Sequence, residues 1–300
     1  MAGRTGAPAR VSARRGVKRG IWLVPKYIIL LFWAALVVFP LWWLITTSIK
    51  LPVDVNRGVG YIPGVDFVPT FETWDYLLFG PMSRESFPPF VNTVIIAVAS
   101  AALAVALGSV GGYGLSRFKY RVGRFGNNDI AFWFIAQRMM PPVIVVFPLM
   151  IMFKTLYLLD SRIGLILVYS AFGVPLVVWL MRDFFATVPK EIEESALVDG
   201  CSRVQCFLRV ALPVAAPGLV ASYLLVLIYA SNEYLLALLL TFKNAATMPI
   251  YIAGMTMSGK GTEWWYMSAL TIFAVTPTVV LGLLLQKYLI KGIVMGSLKE

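Results

Sequence analysis

Long apolar runs, separated by polar breaks, make up most of this chain after its basic first residues. An α-helix needs about 20 predominantly apolar residues to cross a bilayer, and helices keep every backbone hydrogen bond inside one segment. The pattern therefore predicts an all-α integral membrane protein with six transmembrane helices. They lie within residues 27–290, at residues 27–49, 90–115, 130–153, 163–180, 214–240 and 267–290.

The breaks between the apolar runs differ in character. Residues 50–89 hold five acids against three bases, which suits the outer side of a membrane. Within them, residues 70–78 predict a short amphipathic helix that Thr70 or Thr73 caps. Residues 187–213, called the polar segment from here on, are rich in charge and separate the fourth run from the fifth.

Small residues and prolines inside the runs predict how the spans pack. The second run is rich in Ala and Gly, which let membrane helices approach closely, so we expect it inside the bundle. The third run contains Pro141 and Pro142. Proline removes backbone hydrogen bonds, which neighbouring helices or a cavity must then compensate.

Residues 1–26 form a basic N-terminal segment with seven Lys or Arg residues and no acid. We expect it to be disordered until near Trp22. The 23-residue run that follows exceeds the 7–15 apolar residues, roughly, of a signal peptide, and no small-residue cleavage site closes it. It is therefore predicted to be a first membrane helix.

The distribution of positive charge predicts the orientation. Lys and Arg collect on the cytoplasmic side of membrane proteins. The basic clusters at the N-terminus, at residues 117–124 and in the C-terminal tail, residues 291–300, all fall on one side of a six-span chain. We therefore expect both termini and the polar segment in the cytoplasm, and we assign the net charge of +11 to topology rather than to nucleic-acid binding.

Composition argues against an enzyme. The chain is 59% hydrophobic and 14% charged, against about 45–50% and 25% in globular proteins. It has no His, which removes the commonest general base and metal ligand. Cys201 and Cys206 match no zinc or disulfide spacing. We expect no catalytic residue, no metal site and no cofactor bound by this chain.

The polar segment predicts two short helices joined at Gly200. Thr187 is placed to cap the first helix, with Pro189 in its first turn. Gly200 is placed to end it. Ser202 then begins a second helix, and Gln205 follows at the spacing of a capping box.

The charge of the first helix predicts a protein partner. A helix lying along the lipid interface, the alternative, favours Lys and Arg on its polar face, and anionic lipid would repel acids. An apolar face of this kind instead suits a groove in a soluble protein. The acids are Glu191, Glu193, Glu194 and Asp199, and the apolar face is Ile192, Ala196 and Leu197, with Ser195 beside it.

The polar segment resembles the signature of permease subunits of ABC importers: Glu-Ala-Ala, three residues, Gly, nine residues, then Ile-x-Leu-Pro. The spacing holds throughout, and Ser and Val replace one Ala and the Ile. The matching positions are Glu194, Ser195, Ala196, Gly200, Val210, Leu212 and Pro213.

Nearly the whole chain after about Lys26 resembles one branch of that family, the carbohydrate-importer permeases of the maltose-transporter type, of the shorter six-span kind. The residues that carry this wider resemblance are Asn92-Thr93, Leu158-Leu159-Asp160 and Asn232-Glu233-Tyr234.

The resemblance implies the partners and the roles of the site residues. The two short helices would be coupling helices seated in an ATPase cleft, where Glu194 makes a charge-assisted contact, Gly200 provides the turn and Asp199 caps or braces it. The partners would be two ATP-binding subunits, a second permease in a heterodimer and an extracytoplasmic solute-binding protein. ATP and Mg would bind the ATPase. The tail at residues 291–300 would reach between the ATPases.

Polar residues within the spans are candidates for the solute path, since such residues are costly in a membrane. The candidates are Gln137, Arg138, Asn232 and Glu233. Two alternatives remain open. Glu233 would simply reach water near the outer end of its span, and Arg138 would pair with Asp129 or extend to the interface.

The predicted function is ATP-driven import of a sugar or polyol by alternating access, in the cytoplasmic membrane of a bacterium. Half of a secondary transporter is one alternative, but the spans hold no midplane acidic pair and no His relay. A non-catalytic assembly subunit is another, and it would not need the paired helices of the polar segment.

Overall fold

The computed structural model describes residues 12–255 and 262–297, with side chains described for residues 25–255 and 262–288. The expected disorder of residues 1–11 and the end of the predicted tail, residues 298–300, lie outside the described residues. Two compact units divide the chain: residues 1–74 with 264–269, and residues 75–263 with 270–300.

Helices account for most of the described chain, which confirms the all-α prediction. A 3-10 turn, Gln137–Met139, and a π-helical turn, Phe207–Ala211, accompany them. The helices are α1 Ser12–Ser48, α2 Pro52–Arg57, α3 Glu72–Leu78, α4 Pro81–Arg117, α5 Asn127–Ala136, α6 Pro142–Thr155, α7 Arg162–Thr187, α8 Lys190–Val198, α9 Arg203–Cys206, α10 Leu212–Val214, α11 Ala216–Asn232, α12 Leu235–Leu240, α13 Met248–Met255 and α14 Trp264–Ser297.

The described helices supply up to six membrane spans. Four are long and apolar enough alone: residues 25–48 of α1, α4, α7 and residues 264–288 of α14. Two more are bent pairs: residues 127–155 turn by 87° and residues 203–232 by 77°. The six-span prediction is confirmed when each bent pair counts as one span.

Several predicted helices are shorter than the observed ones. The expected disorder up to Trp22 is wrong from Ser12 onward, because the basic residues there are good helix formers. The helix α4 begins at Pro81 rather than at residue 90, and α7 continues past residue 180. Hydropathy marks the lipid boundary, whereas backbone hydrogen bonding carries a helix beyond it.

The third predicted span is broken where its prolines stand. The 3-10 turn follows α5, and α6 begins at Pro142 with Pro141 in an extended conformation before it. The residue before a proline disfavours the helical conformation, and Pro141 is accordingly extended. Adjacent prolines alone do not decide the break, since Pro88 and Pro89 lie inside the continuous helix α4. The fifth predicted span breaks at Glu233, between α11 and α12.

The core of the second unit forms where α4, α7 and α11 pack together, as the small residues of α4 predict. A Cβ atom built on Gly108 would lie 2.5 Å from the Cβ of Val177, so the two helices touch where only glycine fits. Buried side chains fill the space around this contact: Ile96, Ala101, Ala104, Tyr169, Met181, Phe185 and Leu227.

The first unit contains a loop folded around Lys50. Its ammonium group donates a hydrogen bond to the carbonyl of Gly60 and lies 4.8 Å from the ring centre of Phe67. Burial lowers the pKa of Lys50. Asp66 accepts the backbone N–H groups of Ile62 and Tyr61, and these bonds lower the pKa of Asp66.

The predicted amphipathic helix is confirmed as α3. The hydroxyl of Thr70 accepts the backbone N–H of Glu72, so Thr70 rather than Thr73 occupies the capping role. Thr73 is buried within the helix itself.

Candidate functional site

The first helix of the polar segment is α8, Lys190–Val198, and it follows closely on the end of α7. Thr187 ends α7, and its hydroxyl donates to the carbonyl of Phe184 instead of capping the next helix. Pro189 precedes α8 in an extended conformation and contributes no side-chain hydrogen bond. Proline at this position fits a helix start because a missing N–H costs nothing there. Thr187 is therefore wrong as a cap, and Pro189 lies at the N-cap directly before the helix rather than in its first turn.

Gly200 makes the turn between the two helices. Its φ angle of +91° lies in the region that residues with a side chain rarely adopt. The N–H groups of Gly200 and Cys201 donate to the carbonyls of Leu197 and Ala196, at 3.1 and 3.0 Å. The helix end predicted at Gly200 is confirmed.

The second helix begins with the predicted capping box. The hydroxyl of Ser202 accepts the N–H of Gln205, and the Gln205 side-chain carbonyl accepts the N–H of Ser202. The helix continues through the π-helical turn, in which Leu212 donates its N–H to the carbonyl of Phe207 five residues back. Pro213 follows, which lacks an N–H group, and the chain bends into α11.

Glu193 is buried, which corrects the prediction that it belongs to an exposed acidic face. Its side chain is 7% exposed, as is that of Arg117 at the end of α4. The two guanidinium nitrogens Nη2 and Nε lie 2.6 and 2.8 Å from Oε1 of Glu193. The hydroxyl of Tyr113 donates to Oε2 at 2.8 Å. The polar segment is thereby tied to α4 through a salt bridge and two hydrogen bonds to one carboxylate.

Aromatic rings surround this contact and join three elements. Tyr113 of α4 lies 5.3 Å from Phe185 of α7 and 4.8 Å from Phe207 in the π-helical turn, measured between ring centres. Such tilted and edge-to-face pairs are favourable beyond their buried area. The base of the polar segment is therefore apolar around a single ion pair.

The exposed surface of the polar segment differs from the predicted apolar face. Glu194, Ser195 and Asp199 are exposed as expected, whereas Ala196 and Leu197 are half-buried. Ser195 donates its hydroxyl to the carbonyl of Glu191. The sequence analysis missed three exposed apolar residues that join Ile192 on this surface: Val198, Val204 and Leu208.

Val198 is the most exposed of the missed residues, at 87%. It lies at the end of α8, just before the turn, where polar residues are usual. Such exposed apolar side chains beside acids are typical of a protein contact surface. The signal available in the sequence was the apolar character of residues 198 and 204 on either side of Gly200.

Gln137 and Arg138 lie together in the 3-10 turn of the broken third span. They border a cavity of about 250 Å³ whose wall includes Phe172 and Pro175 of α7. The guanidinium of Arg138 lies 5.1 Å from the ring centre of Tyr229 and 3.5 Å from the carbonyl oxygen of Phe172. Both residues therefore stay candidates for a solute path.

The alternative pairing of Arg138 with Asp129 is absent from the described structure. Asp129 instead accepts the N–H of Gly126 at 2.8 Å and stabilises the start of α5. Arg138 has cation–π and carbonyl contacts but no salt bridge among the residues with described side chains.

Glu233 is a helix cap, which neither interpretation of the sequence anticipated. Its carboxylate accepts the backbone N–H groups of Leu236 and Ala237, at 3.0 and 3.1 Å, and the hydroxyl of Tyr169 at 2.9 Å. The side chain is buried and does not reach water. Asn232 is exposed, and its amide donates to the carbonyl of Ile228 within the same helix.

Asp160 joins the loop after α6 to the loop after α12. The backbone N–H groups of Phe242, Lys243, Asn244 and Ala245 all donate to its carboxylate. Burial raises the pKa of Asp160, but these four N–H groups outweigh it, so the pKa lies below its ordinary value.

Asn92 and Thr93 fasten the same region from α4. The amide of Asn92 donates to the carbonyls of Asn244 and Ala246, and its oxygen accepts a bond from Arg162. The hydroxyl of Thr93 accepts the N–H of Met248 at 2.8 Å. Asn92, Thr93 and Asp160, which belong to the motifs of the wider sequence resemblance, thus all bind the loop after α12 or the first residue of α13.

Residues 104–295, which include the whole polar segment, match the family described as the binding-protein-dependent transport system inner membrane component. The chain belongs to this family. The permease is thus the membrane-spanning subunit of an ATP-driven importer, a transport component rather than an enzyme.

Two relatives resemble the permease over nearly their full length. The trehalose/maltose transport system permease protein MalG of Thermococcus litoralis is 30% identical over 269 residues, covering 89% of this chain and 93% of that protein. The trehalose transport system permease protein SugB of Mycobacterium tuberculosis is 30% identical over 277 residues, covering 89% and 97%.

A solved structure has the same fold. It is a bacterial ABC transporter involved in the import of the acidic polysaccharide alginate, and one of its chains matches with a TM-score of 0.70 and 21% identity. The match covers 95% of this permease and 99% of that chain. A second solved structure that this chain resembles is a bacterial alginate ABC transporter in complex with an alginate pentasaccharide-bound periplasmic protein, with a TM-score of 0.64 and 16% identity.

Proposed function

We propose that this permease moves a sugar or related polyol across the inner membrane and that the polar segment docks into an ATPase subunit. The docking proposal depends on one observation: the polar segment exposes acidic and apolar side chains together on its outer surface. Its outer surface exposes Glu194 and Asp199 beside Ile192, Val198 and Val204, while its inner side is held to α4. A surface of exposed acids and apolar groups suits a protein cleft with basic residues.

The partners follow from this role. Two ATP-binding subunits carry ATP and Mg, and a second permease completes the membrane pathway as a heterodimer. An extracytoplasmic binding protein delivers the solute. The polar segment and both termini then lie in the cytoplasm, as the positive charges indicate.

The site residues divide into two roles. Glu194 makes a charge-assisted contact with a basic group on the ATPase, and Gly200 fixes the turn that presents it. Ser195, Ala196 and Asp199 complete the contact with the ATPase. Leu212 and Pro213 return the chain towards the spans.

The carbohydrate class is supported by what the relatives transport, as their names state: trehalose and maltose in one case and trehalose in another. Gln137 and Arg138 suit the solute path because they border a cavity at a broken span. Glu233 and Asn232 serve this path indirectly, since Glu233 holds the break between α11 and α12. Alternating access would open the path to each side in turn.

The substitution Glu194→Arg tests the docking role. We expect the purified permease to fold with unchanged thermal stability, because Glu194 is exposed, but to lose co-purification of the ATPase. Asp183→Asn, a change at an exposed acid of α7, is the control and should leave assembly unchanged. Assembly and solute-stimulated ATP hydrolysis at wild-type levels in Glu194→Arg would overturn the docking proposal.

The solute class has its own test. Radiolabelled disaccharides, oligosaccharides and polyols are offered to the companion binding protein, and those that bind are then tested for uptake through the assembled importer. Uptake of one of these compounds that requires this permease supports the carbohydrate class. Uptake of none of them, together with uptake of an amino acid, would contradict it.

A further inference from the structure

We propose that Glu193 and Arg117 form the joint that transmits movement of the polar segment to the membrane spans. This inference rests on the proposed docking function. It assigns a positioning role to two residues that neither the sequence signature nor the docking surface includes. The exposed Glu194 receives the ATPase, whereas its neighbour Glu193 is buried and holds α4.

The geometry of the joint is directional. Arg117 presents two nitrogens to one oxygen of Glu193, and Tyr113 donates to the other oxygen. The two oxygens of the carboxylate thus have different partners, on Arg117 and on Tyr113, and this fixes the orientation of the Glu193 side chain as well as its distance from α4. A rotation of α8 about its axis would therefore have to carry the end of α4 with it or break these bonds.

Both helices of the polar segment are attached at this point. Arg117 also donates to the carbonyl of Val188, two residues before α8, at 2.9 Å. The thiol of Cys206 in α9 lies 3.7 Å from the backbone carbonyl oxygen of Glu193. The segments before and after Gly200 are thereby connected through one residue, so they move as one body.

Arg117 connects the joint to the packed core of the membrane spans through α4. Arg117 is the last residue of α4, and α4 touches α7 so closely that only glycine fits at Gly108. Because close-packed helices transmit displacement with little slack, a shift at Arg117 is passed along α4 into the packed core.

Burial sets this ion pair apart. The other salt bridge among the residues with described side chains, Arg57 with Asp54, has an N–O distance of 4.0 Å and an exposed arginine. Both partners of the Glu193 pair are 7% exposed. Buried pairs seldom stabilise more than apolar residues of the same volume would, yet breaking one strands a charge. Orientation rather than stability is the role we infer.

The test compares transport with hydrolysis in the complete importer, reconstituted with its partner permease, ATPase and binding protein. Glu193→Gln keeps the shape of the side chain but offers Arg117 an amide in place of a carboxylate. We expect the complex to assemble and to hydrolyse ATP, while the solute moved per ATP falls about tenfold, within the range of known coupling effects. Asp183→Asn is the matched control and should leave this ratio unchanged.

Two more conservative variants keep the proposal testable if Glu193→Gln fails to fold. Tyr113→Phe removes one hydroxyl and keeps the ring, and we expect the ratio to fall about threefold. Arg117→Lys keeps the charge but loses the two-nitrogen contact, and it should fall between these two variants. If Glu193→Gln does not assemble, Tyr113→Phe decides, and an unchanged ratio in that variant overturns the proposal.

The ratio separates this proposal from a purely structural role and from the docking proposal. A structural role would lower transport and hydrolysis together and leave their ratio constant, which would overturn the inference. Loss of assembly in Glu194→Arg with a normal ratio in Glu193→Gln would contradict the joint alone. Normal assembly and function in Glu194→Arg would contradict the docking surface on which the joint depends.

Discussion

The hydroxyl of Tyr169 on α7 donates to the carboxylate of Glu233, 2.9 Å away, where α11 ends and α12 begins. The same carboxylate accepts the first free N–H groups of α12, so one side chain caps a helix and binds a neighbouring one. An acid that looks like a solute ligand in the sequence is thus a structural residue in the fold.

Replacing Glu233 should therefore destabilise the permease. Glu233→Ala strands the Tyr169 hydroxyl and two backbone N–H groups, and we expect a loss of about 2–3 kcal/mol of unfolding free energy. Chemical denaturation in detergent micelles measures it. The exposed neighbour Asn232→Ala should change stability by less than about 0.5 kcal/mol.

A second variant decides between the cap and a solute ligand. Glu233→Gln can still accept hydrogen bonds, so the cap predicts a modest loss of stability and a near-normal KM. A large rise in the KM for transport, with stability unchanged, would show instead that the carboxylate binds solute.

The loop at residues 242–245 should respond to pH through Asp160. Because the pKa of Asp160 lies below its ordinary value, its ionised form is favoured by the fold. Its stabilising effect is present above the ordinary pKa of about 3.9 and is lost as the pH falls through the lowered value.

Amide hydrogen exchange of residues 242–245 measures this effect. After correction for the intrinsic pH dependence of exchange, we expect protection at pH 7 that declines only at strongly acidic pH. Asp160→Asn should exchange faster at pH 7 and lose the acid-dependent change. Asp129→Asn is the control, because Asp129 accepts the N–H of Gly126 at the start of α5, a different helix. Equal protection in wild type and Asp160→Asn would contradict the assignment.

The prolines illustrate why the spans were predictable and their breaks were not. A run of about 20 apolar residues is a local property, so hydropathy located the spans. Pro40, Pro175 and Pro277 lie inside continuous helices, whereas Pro141 and Pro142 stand at a sharp break. Whether one proline is tolerated depends on what neighbouring helices supply, which a single sequence does not contain.

Glu193 shows the same limit in the polar segment. It stands beside Glu194 in a run of acids, and its partner Arg117 lies 76 residues earlier. Helical spacing held one usable signal: Glu193 shares a face with the half-buried Ala196 and Leu197, three and four residues on. The turn at Gly200 was predictable because its cause, a glycine after an apolar helix end, is local.

The contact between α4 and α7 predicts a sharp size limit at residue 108. Gly108→Ala places a methyl group 2.5 Å from the Cβ of Val177, which the packed helices cannot accept without moving. We expect a loss of about 1–3 kcal/mol of stability, the usual effect of overpacking. Thermal unfolding in detergent measures it.

Two further variants identify the clash as the cause. Adding Val177→Ala to Gly108→Ala removes the Cγ1 atom at 2.7 Å but keeps the Cβ atom at 2.5 Å, so we expect only a small part of the lost stability to return. Gly282→Ala is the matched control, since a Cβ atom there meets nothing within 4 Å. A destabilisation as large at residue 282 as at residue 108 would point to a general effect of replacing helical glycines.

Substitutions at Gly200 distinguish backbone strain in the turn from steric overlap with neighbouring atoms. A Cβ atom on Gly200 meets nothing within 4 Å, so Gly200→Ala introduces strain only through the φ angle of +91°. We expect the strain, on the order of 1 kcal/mol, to shift α8 relative to α9 and weaken ATPase binding about fivefold. Asn tolerates this conformation better, so Gly200→Asn should weaken binding less. Gly123→Ala, at a φ of +61° in another loop, also replaces a glycine of positive φ and should leave the affinity for the ATPase unchanged. Equal binding by Gly200→Ala, Gly200→Asn and wild type would contradict a role for the turn geometry in presenting Glu194.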